Sequence, residues 1–158
     1  MEKDLILSWD ETFMQLSDLI ARRSKDPNTK CGAVIVDEDN IIVGLGYNGW
    51  PRGIDNEILP WEREGDFCDT KYAYVVHAEA NAIYNSNKST KNCRLYVNLF
   101  PCNECAKIII QNGIKEIIYQ SDKYHETDAC CASRKMFDLA GVKYRQYLPE
   151  YELNLIKK

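Results

Sequence analysis

Four residues in the middle of the chain have the types and order for metal-assisted chemistry: His77 and Glu79 in His77-Ala78-Glu79, then Cys102 and Cys105 in Pro101-Cys102-Asn103-Glu104-Cys105. One imidazole and two thiolates suit a borderline-soft divalent ion such as Zn²⁺, and three protein ligands leave the fourth tetrahedral position for water. Glu79 stands two residues past the histidine. From there its carboxylate can face the fourth position without ligating, as a general acid/base must. A structural zinc site normally takes four protein ligands and needs no acid. No fourth ligand lies close by, since Asn103 and Glu104 fall inside the spacer and Cys93 and His125 are separated from it by other elements. A lone Cys-x-x-Cys also serves as a redox pair, but the His-x-Glu ahead of it points to a metal. A second zinc site from Cys68, His125, Cys130 and Cys131 is disfavoured because Cys130 and Cys131 are adjacent and point different ways on a helix.

The ligands need elements to hold them. Residues 77–87 read as a helix with Ala80, Ala82 and Ile83 facing in, residues 93–99 as a strand, and residues 102–112 as a helix that Pro101 starts and Gly113 ends. Cys102 and Cys105 share a helix face. Both metal-bearing segments open helices, so two positive dipole ends point at the thiolates and favour metal over protons.

Ahead of them, residues 5–25 read as an amphipathic helix. Ser8-Trp9-Asp10-Glu11 has capping-box form, and Trp9, Phe13, Leu16 and Ile20 recur at helical spacing, with Trp9 and Phe13 expected in the core. The helix closes on Arg22-Arg23-Ser24 before Asp26-Pro27-Asn28. These arginines either complement the helix dipole or supply one forked contact to a substrate phosphate.

Residues 30–36 and 41–47 form a hairpin, with Cys31 a plain buried residue of its first strand. Gly44 and Gly46 imply that another backbone or a ligand approaches the second strand closely. Gly46-Tyr47-Asn48-Gly49 follows at a strand end, where Asn48 is expected to contact a ligand. Residues 50–75 make a long connection whose Trp50, Trp61, Phe67 and Tyr72 favour a folded flap over disorder. A strand at 115–119, a helix at 126–140 ended by Gly141, and a strand at 142–147 complete the alternation. The expected fold is α/β in three α/β/α layers, with helices on both faces of one sheet.

At 158 residues the chain is expected to be one domain, 1–158. Met1-Glu2-Lys3-Asp4 is charged, without a signal-peptide apolar run, and no segment reaches membrane-spanning length. With seven cysteines and no disulfide framework, a reducing, cytoplasmic location is expected. The formal charge of −4 weighs against a nucleic-acid backbone as partner and leaves room for a small anion held by one or two arginines.

The order His-x-Glu, then Pro-Cys-x-x-Cys, is the established signature of zinc deaminases. Several flanking segments narrow the likeness: Gly46-Tyr47-Asn48-Gly49, Pro51-Arg52-Gly53, Leu59-Pro60-Trp61, Asp69-Thr70-Lys71-Tyr72, Phe100 to Lys107 and Ser121-Asp122-Lys123-Tyr124-His125. From about residue 9 to 147 the chain resembles the deoxycytidylate (dCMP) deaminase family. Cys31 and Trp50 depart from the residues expected there.

The resemblance implies a cytidine-deaminase-like fold with a five-stranded mixed sheet, and hydrolysis of dCMP to dUMP and ammonia, which supplies dUMP for thymidylate synthesis. It implies Zn²⁺ on His77, Cys102 and Cys105, with Glu79 as the proton shuttle. Asn48 would contact the deoxyribose, Arg23 and Ser24 the phosphate, and Tyr124 would close over the substrate. It further implies a homo-oligomer, commonly a hexamer, activated by dCTP and inhibited by dTTP, usually with Mg²⁺. Tyr47, Gly49 and Lys88 are the effector candidates. The alternatives are a deaminase of free (deoxy)cytidine or of dCTP, a transfer-RNA adenosine deaminase, which the acidic chain disfavours, and a non-enzymatic zinc module.

Overall fold

The first strand, β1 (Gly32–Val36), is buried along its whole length and pairs antiparallel on both sides, with β2 (Ile42–Tyr47) and with β3 (Arg94–Leu99). Beyond β3 the pairing turns parallel, to β4 (Glu116–Ser121) and then β5 (Lys143–Gln146). The order is β2-β1-β3-β4-β5, a five-stranded mixed sheet as the resemblance implied. The computed structural model describes residues 5–158, so the charged segment 1–4 lies outside the described residues.

Alternation along β1 divides the core between two faces. Val34 and Val36 join Phe13, Met14, Tyr96 and Ile118 beneath α1 (Trp9–Ala21). Ala33 and Ile35 face the other way, where α2 (Ala78–Tyr84), α3 (Asn103–Gln111) and α4 (Asp128–Ala140) contribute Ala82, Ile109 and Phe137. Helices therefore cover both faces, as expected.

Helix α1 is shorter than its periodicity suggested. The Ser8 hydroxyl caps it by accepting from Glu11 N–H at 3.1 Å, and the chain leaves the helix at Arg22. Phe13 is core, but Trp9 is 58% exposed and only stacks on Phe13, ring centroids 5.4 Å apart. As the first helical residue, Trp9 has no preceding turn to pack beside.

The glycines of β2 do what their spacing predicts. A Cβ on Gly46 would lie 2.2 Å from Ala82 N and 2.5 Å from Ala78 O, and one on Gly44 would lie 2.3 Å from Ala82 O. Backbone-to-backbone packing seats α2 directly on the strand and fixes the residue that precedes the helix, His77.

Residues 50–75 carry two short 3₁₀ turns, Phe67–Asp69 and Lys71–Ala73. Trp50 and Trp61 stack with centroids 3.8 Å apart, and the Trp50 indole N–H donates to Asn56 O at 3.2 Å. The connection is an ordered flap. No helix among the described residues is long and apolar enough to cross a membrane.

Candidate metal centre and its cavity

His77 and Cys102 hold the same position on two helices. Each is the extended residue just before its helix, with ψ of 157° and 171°, and neither side chain caps its own helix. Both side chains turn inward instead. His77 Nδ1 lies 3.4 Å from Cys102 Sγ and 3.3 Å from Cys105 Sγ, and these ligand atoms all lie within 4.8 Å of one another. Two atoms on one tetrahedral Zn²⁺, at Zn–N near 2.0 Å and Zn–S near 2.3 Å, stand about 3.5 Å apart. The donor set fits zinc in chemistry and spacing. Among the described residues, this is the one group of His, Cys, Asp or Glu side chains placed to share a metal.

The electrostatics favour negative sulfur at this point. The hydrogen bond from Cys105, followed by the His77 contact, lowers the Cys102 thiol to about 4. Cys105 carries the remaining proton and is pushed well above the ordinary thiol range by Cys102 and by burial. The Cys102 sulfur in turn raises His77 to about 9.

Glu79, in the first turn of α2, is buried and lies 3.6 Å from Cys105 Sγ through Oε2. Burial raises its pKa from the ordinary carboxyl value. An upward shift is the direction a carboxyl that must also hold a proton needs.

The centre opens on a cavity of about 330 Å³ whose lining includes His77, Glu79 and Cys102. The structure brings two other expected residues, Asn48 and Tyr124, to the same cavity. Asn48 also reaches a second cleft of about 190 Å³, where Arg23, Tyr47 and Gly49 lie with Lys25 and Arg52. Arg23 thus lines the second cleft, its guanidinium 6.0 Å from the Tyr47 ring. Ser24 is buried and accepts Asp26 N–H at 3.2 Å. Lys88 lies in neither space and pairs with Asp37.

Three charged cavity residues went unassigned in the sequence: Asp26, Arg63 and Lys71. Lys71 belongs to the Asp-Thr-Lys-Tyr segment and Asp26 to the helix-stop signal, but nothing local marks them as a pair. Cys31 also lines the cavity rather than serving only as core, and burial raises its thiol to about 12, which leaves it unreactive. His125 holds the loop that carries Tyr124, with Nδ1 2.7 Å from Asp122 Oδ2 and its carbonyl accepting from Arg134 at 2.8 Å.

Residues 7–121 match the family model described as the cytidine and deoxycytidylate deaminase zinc-binding region. The chain belongs to this family. The human deoxycytidylate deaminase is 54% identical over 151 residues, covering 94% of this chain and 85% of that one. A probable deoxycytidylate deaminase from Drosophila melanogaster is 51% identical over 151 residues, covering 91% and 74%. Among solved structures of the fold, the dCMP deaminase of cyanophage S-TIM5 in complex with dCMP and dUMP superposes with a TM-score of 0.71 at 27% identity, covering 90% of this chain and 99% of that one. The matched span contains His77, Glu79, Cys102 and Cys105.

Proposed function

We propose that the protein is a zinc-dependent enzyme that hydrolyses dCMP to dUMP and ammonia. The observation that carries this is the convergence of His77 Nδ1, Cys102 Sγ and Cys105 Sγ beside the buried Glu79, at a cavity of nucleotide size. The cyanophage relative, of the same fold, holds dCMP and dUMP.

When bound, Zn²⁺ would supply Lewis-acid activation of a water at neutral pH. Glu79 would take one proton of the attacking water as the water oxygen bonds to C4 of the cytosine. The same carboxyl delivers this proton to ring N3, then takes the second proton from the new C4 hydroxyl and passes it to the amino group. The C4–N bond then breaks, ammonia leaves and the C4 carbonyl of dUMP remains. Tyr124, on the loop held by His125, lines the cavity and would close over the substrate, and Asn48, which lines it too, would contact the sugar.

The second cleft suits a nucleotide effector. Arg23, Lys25 and Arg52 offer charge to phosphates, and Tyr47, Trp50 and Trp61 offer rings to a base. dCTP as activator and dTTP as inhibitor would act there, and Asn48, common to both spaces, would couple effector to substrate. Mg²⁺ accompanying the triphosphate and a homo-oligomer, a hexamer by family likeness, complete the reading. Lys88, apart from both spaces, would then meet an effector only across subunits.

The test is ammonia release from dCMP, deoxycytidine and dCTP by the zinc-loaded protein, with dCMP turnover repeated in the presence of dCTP or dTTP. Preference for dCMP, rising with dCTP and falling with dTTP, is expected. Turnover of deoxycytidine alone would overturn the nucleotide reading and keep the zinc chemistry.

A further inference from the structure

Lys71 and Asp26 form a buried ion pair beside the cavity that the proposed chemistry does not use. Nζ and Oδ2 are 2.6 Å apart, and the two residues are 6% and 1% exposed. Desolvating two charges offsets most of what their attraction returns, so such a pair stabilises a fold little. Its place at the cavity calls for another role.

Asp26 is fully engaged. Its Oδ1 accepts from Asn28 N at 2.8 Å and Thr29 N at 3.2 Å, while Oδ2 takes the lysine and faces Asn48 Nδ2 at 3.4 Å. The Asn48 amide nitrogen also donates to Thr29 O at 3.0 Å, and its Oδ1 accepts from Cys31 N at 2.8 Å. Both amide protons are therefore committed. One lone pair on Oδ1 remains, so Asn48 meets the cavity as an acceptor.

On dCMP the 4-amino group belongs to the reacting centre, and N3, O2 and the phosphate accept hydrogen bonds. The remaining donor is the sugar 3′-hydroxyl. We infer that Lys71 is a positioning residue: by holding Asp26 it fixes the Asn48 amide as the acceptor for the 3′-hydroxyl of the substrate. This rests on the dCMP reading above. Without the ammonium, Asp26 is a buried, unpaired carboxylate that takes up a proton or turns away. Either change removes one of the three hydrogen bonds that orient the Asn48 amide and loosens its hold.

The experiment compares kcat/KM for dCMP and for 2′,3′-dideoxycytidine 5′-monophosphate in the wild-type, Lys71→Met and Lys71→Arg proteins, with zinc content and melting curves recorded. The wild-type protein should prefer dCMP by about tenfold, the value of one hydrogen bond to a buried partner. Lys71→Met should bring that ratio toward one, chiefly through KM for dCMP, and Lys71→Arg should restore most of it. An unchanged ratio in a folded, zinc-loaded Lys71→Met protein would overturn the inference. So would a loss shared equally by both nucleotides but absent with deoxycytidine, which would make Lys71 a phosphate contact. Should Lys71→Met fail to fold, Asp26→Asn sets an amide N–H against Asn48 Nδ2 and should lower the ratio likewise; no change there also overturns the inference. A wild-type protein that turns over neither nucleotide would instead sink the dCMP reading.

Discussion

Gly49 and Val76 pair backbone to backbone, Gly49 N to Val76 O at 3.0 Å and Val76 N to Gly49 O at 2.8 Å, closing the base of the flap one residue before His77. The bridge fastens His77, the candidate metal ligand, to the end of β2, and the Trp50–Trp61 stack holds the flap folded. Replacing Trp61 by alanine removes that stack. Local opening of the flap should become easier by about 1–3 kcal/mol, from the lost aromatic contact and burial. Faster hydrogen exchange at the Gly49 and Val76 amides would report it, while exchange in β1 and β3 should stay as it was.

Glu79 and the three ligands should separate cleanly by mutation. Glu79→Gln is expected to retain one zinc per chain and the wild-type melting curve while kcat falls by about 10²- to 10⁴-fold or more, since a general acid/base is lost. Cys102→Ala, by contrast, should lose zinc itself. Chelation of the wild-type protein should abolish turnover and lower the melting temperature, because a ligand that binds only the native state stabilises it by mass action. Zn²⁺ should restore both, and Mg²⁺ neither. A Glu79→Gln protein with wild-type kcat would refute the shuttle role.

Much of this centre was legible in the sequence because its logic is local. His-x-Glu and Cys-x-x-Cys are short spacings, each at a helix start, and a helix start fixes direction. The glycines of β2 likewise announced a close neighbour, which proved to be α2. What stayed hidden depends on long-range closure. Asp26 and Lys71 are 45 positions apart and meet only after the flap folds back over the loop that follows α1. Arg23 suits a phosphate by its position at a helix end, and the fold sets it in the neighbouring cleft because Asn48 stands between the two spaces. Trp9 follows the helical period, yet the period says nothing about where the sheet beneath a helix stops.

The contact between α2 and β2 should tolerate no methyl group. With Ala82 N at 2.2 Å and Ala78 O at 2.5 Å from the added carbon, Gly46→Ala forces backbone apart rather than a flexible side chain aside. The cost should reach or exceed about 3 kcal/mol, the upper range for overpacking. Because α2 carries Glu79 and is preceded by His77, zinc affinity should fall together with stability. Urea unfolding and a zinc-competition titration on the same variant would check both. Loss of stability with unchanged zinc affinity would show that the centre does not depend on this seat.

Glu11 ties the two ends of the chain together and gives the fold an acid-sensitive joint. Its carboxylate is 2% exposed and accepts from the Tyr147 hydroxyl at 2.7 Å, Glu150 N at 3.1 Å, Tyr151 N at 3.1 Å and the Gln15 amide at 2.9 Å. Burial works to raise its pKa, but the Tyr147, Gln15 and backbone donors together outweigh it and hold the carboxyl below its ordinary 4.5. A depressed folded-state pKa means that the stabilisation is complete above the unfolded value and is lost as pH falls through the folded one. The segment from Tyr147 to Tyr151 should therefore be held at neutral pH and released as pH falls through the depressed folded-state pKa of Glu11, below the ordinary 4.5. Glu11→Gln replaces an accepting oxygen with a donor and should bring that state to pH 7, lowering stability by about 1–3 kcal/mol through buried groups left unpaired. Urea unfolding of both proteins at pH 7 and at steps of pH below 4.5 gives the decisive comparison. The gap between them should narrow as pH falls, and a gap independent of pH would mean that the Glu11 charge contributes nothing to the joint.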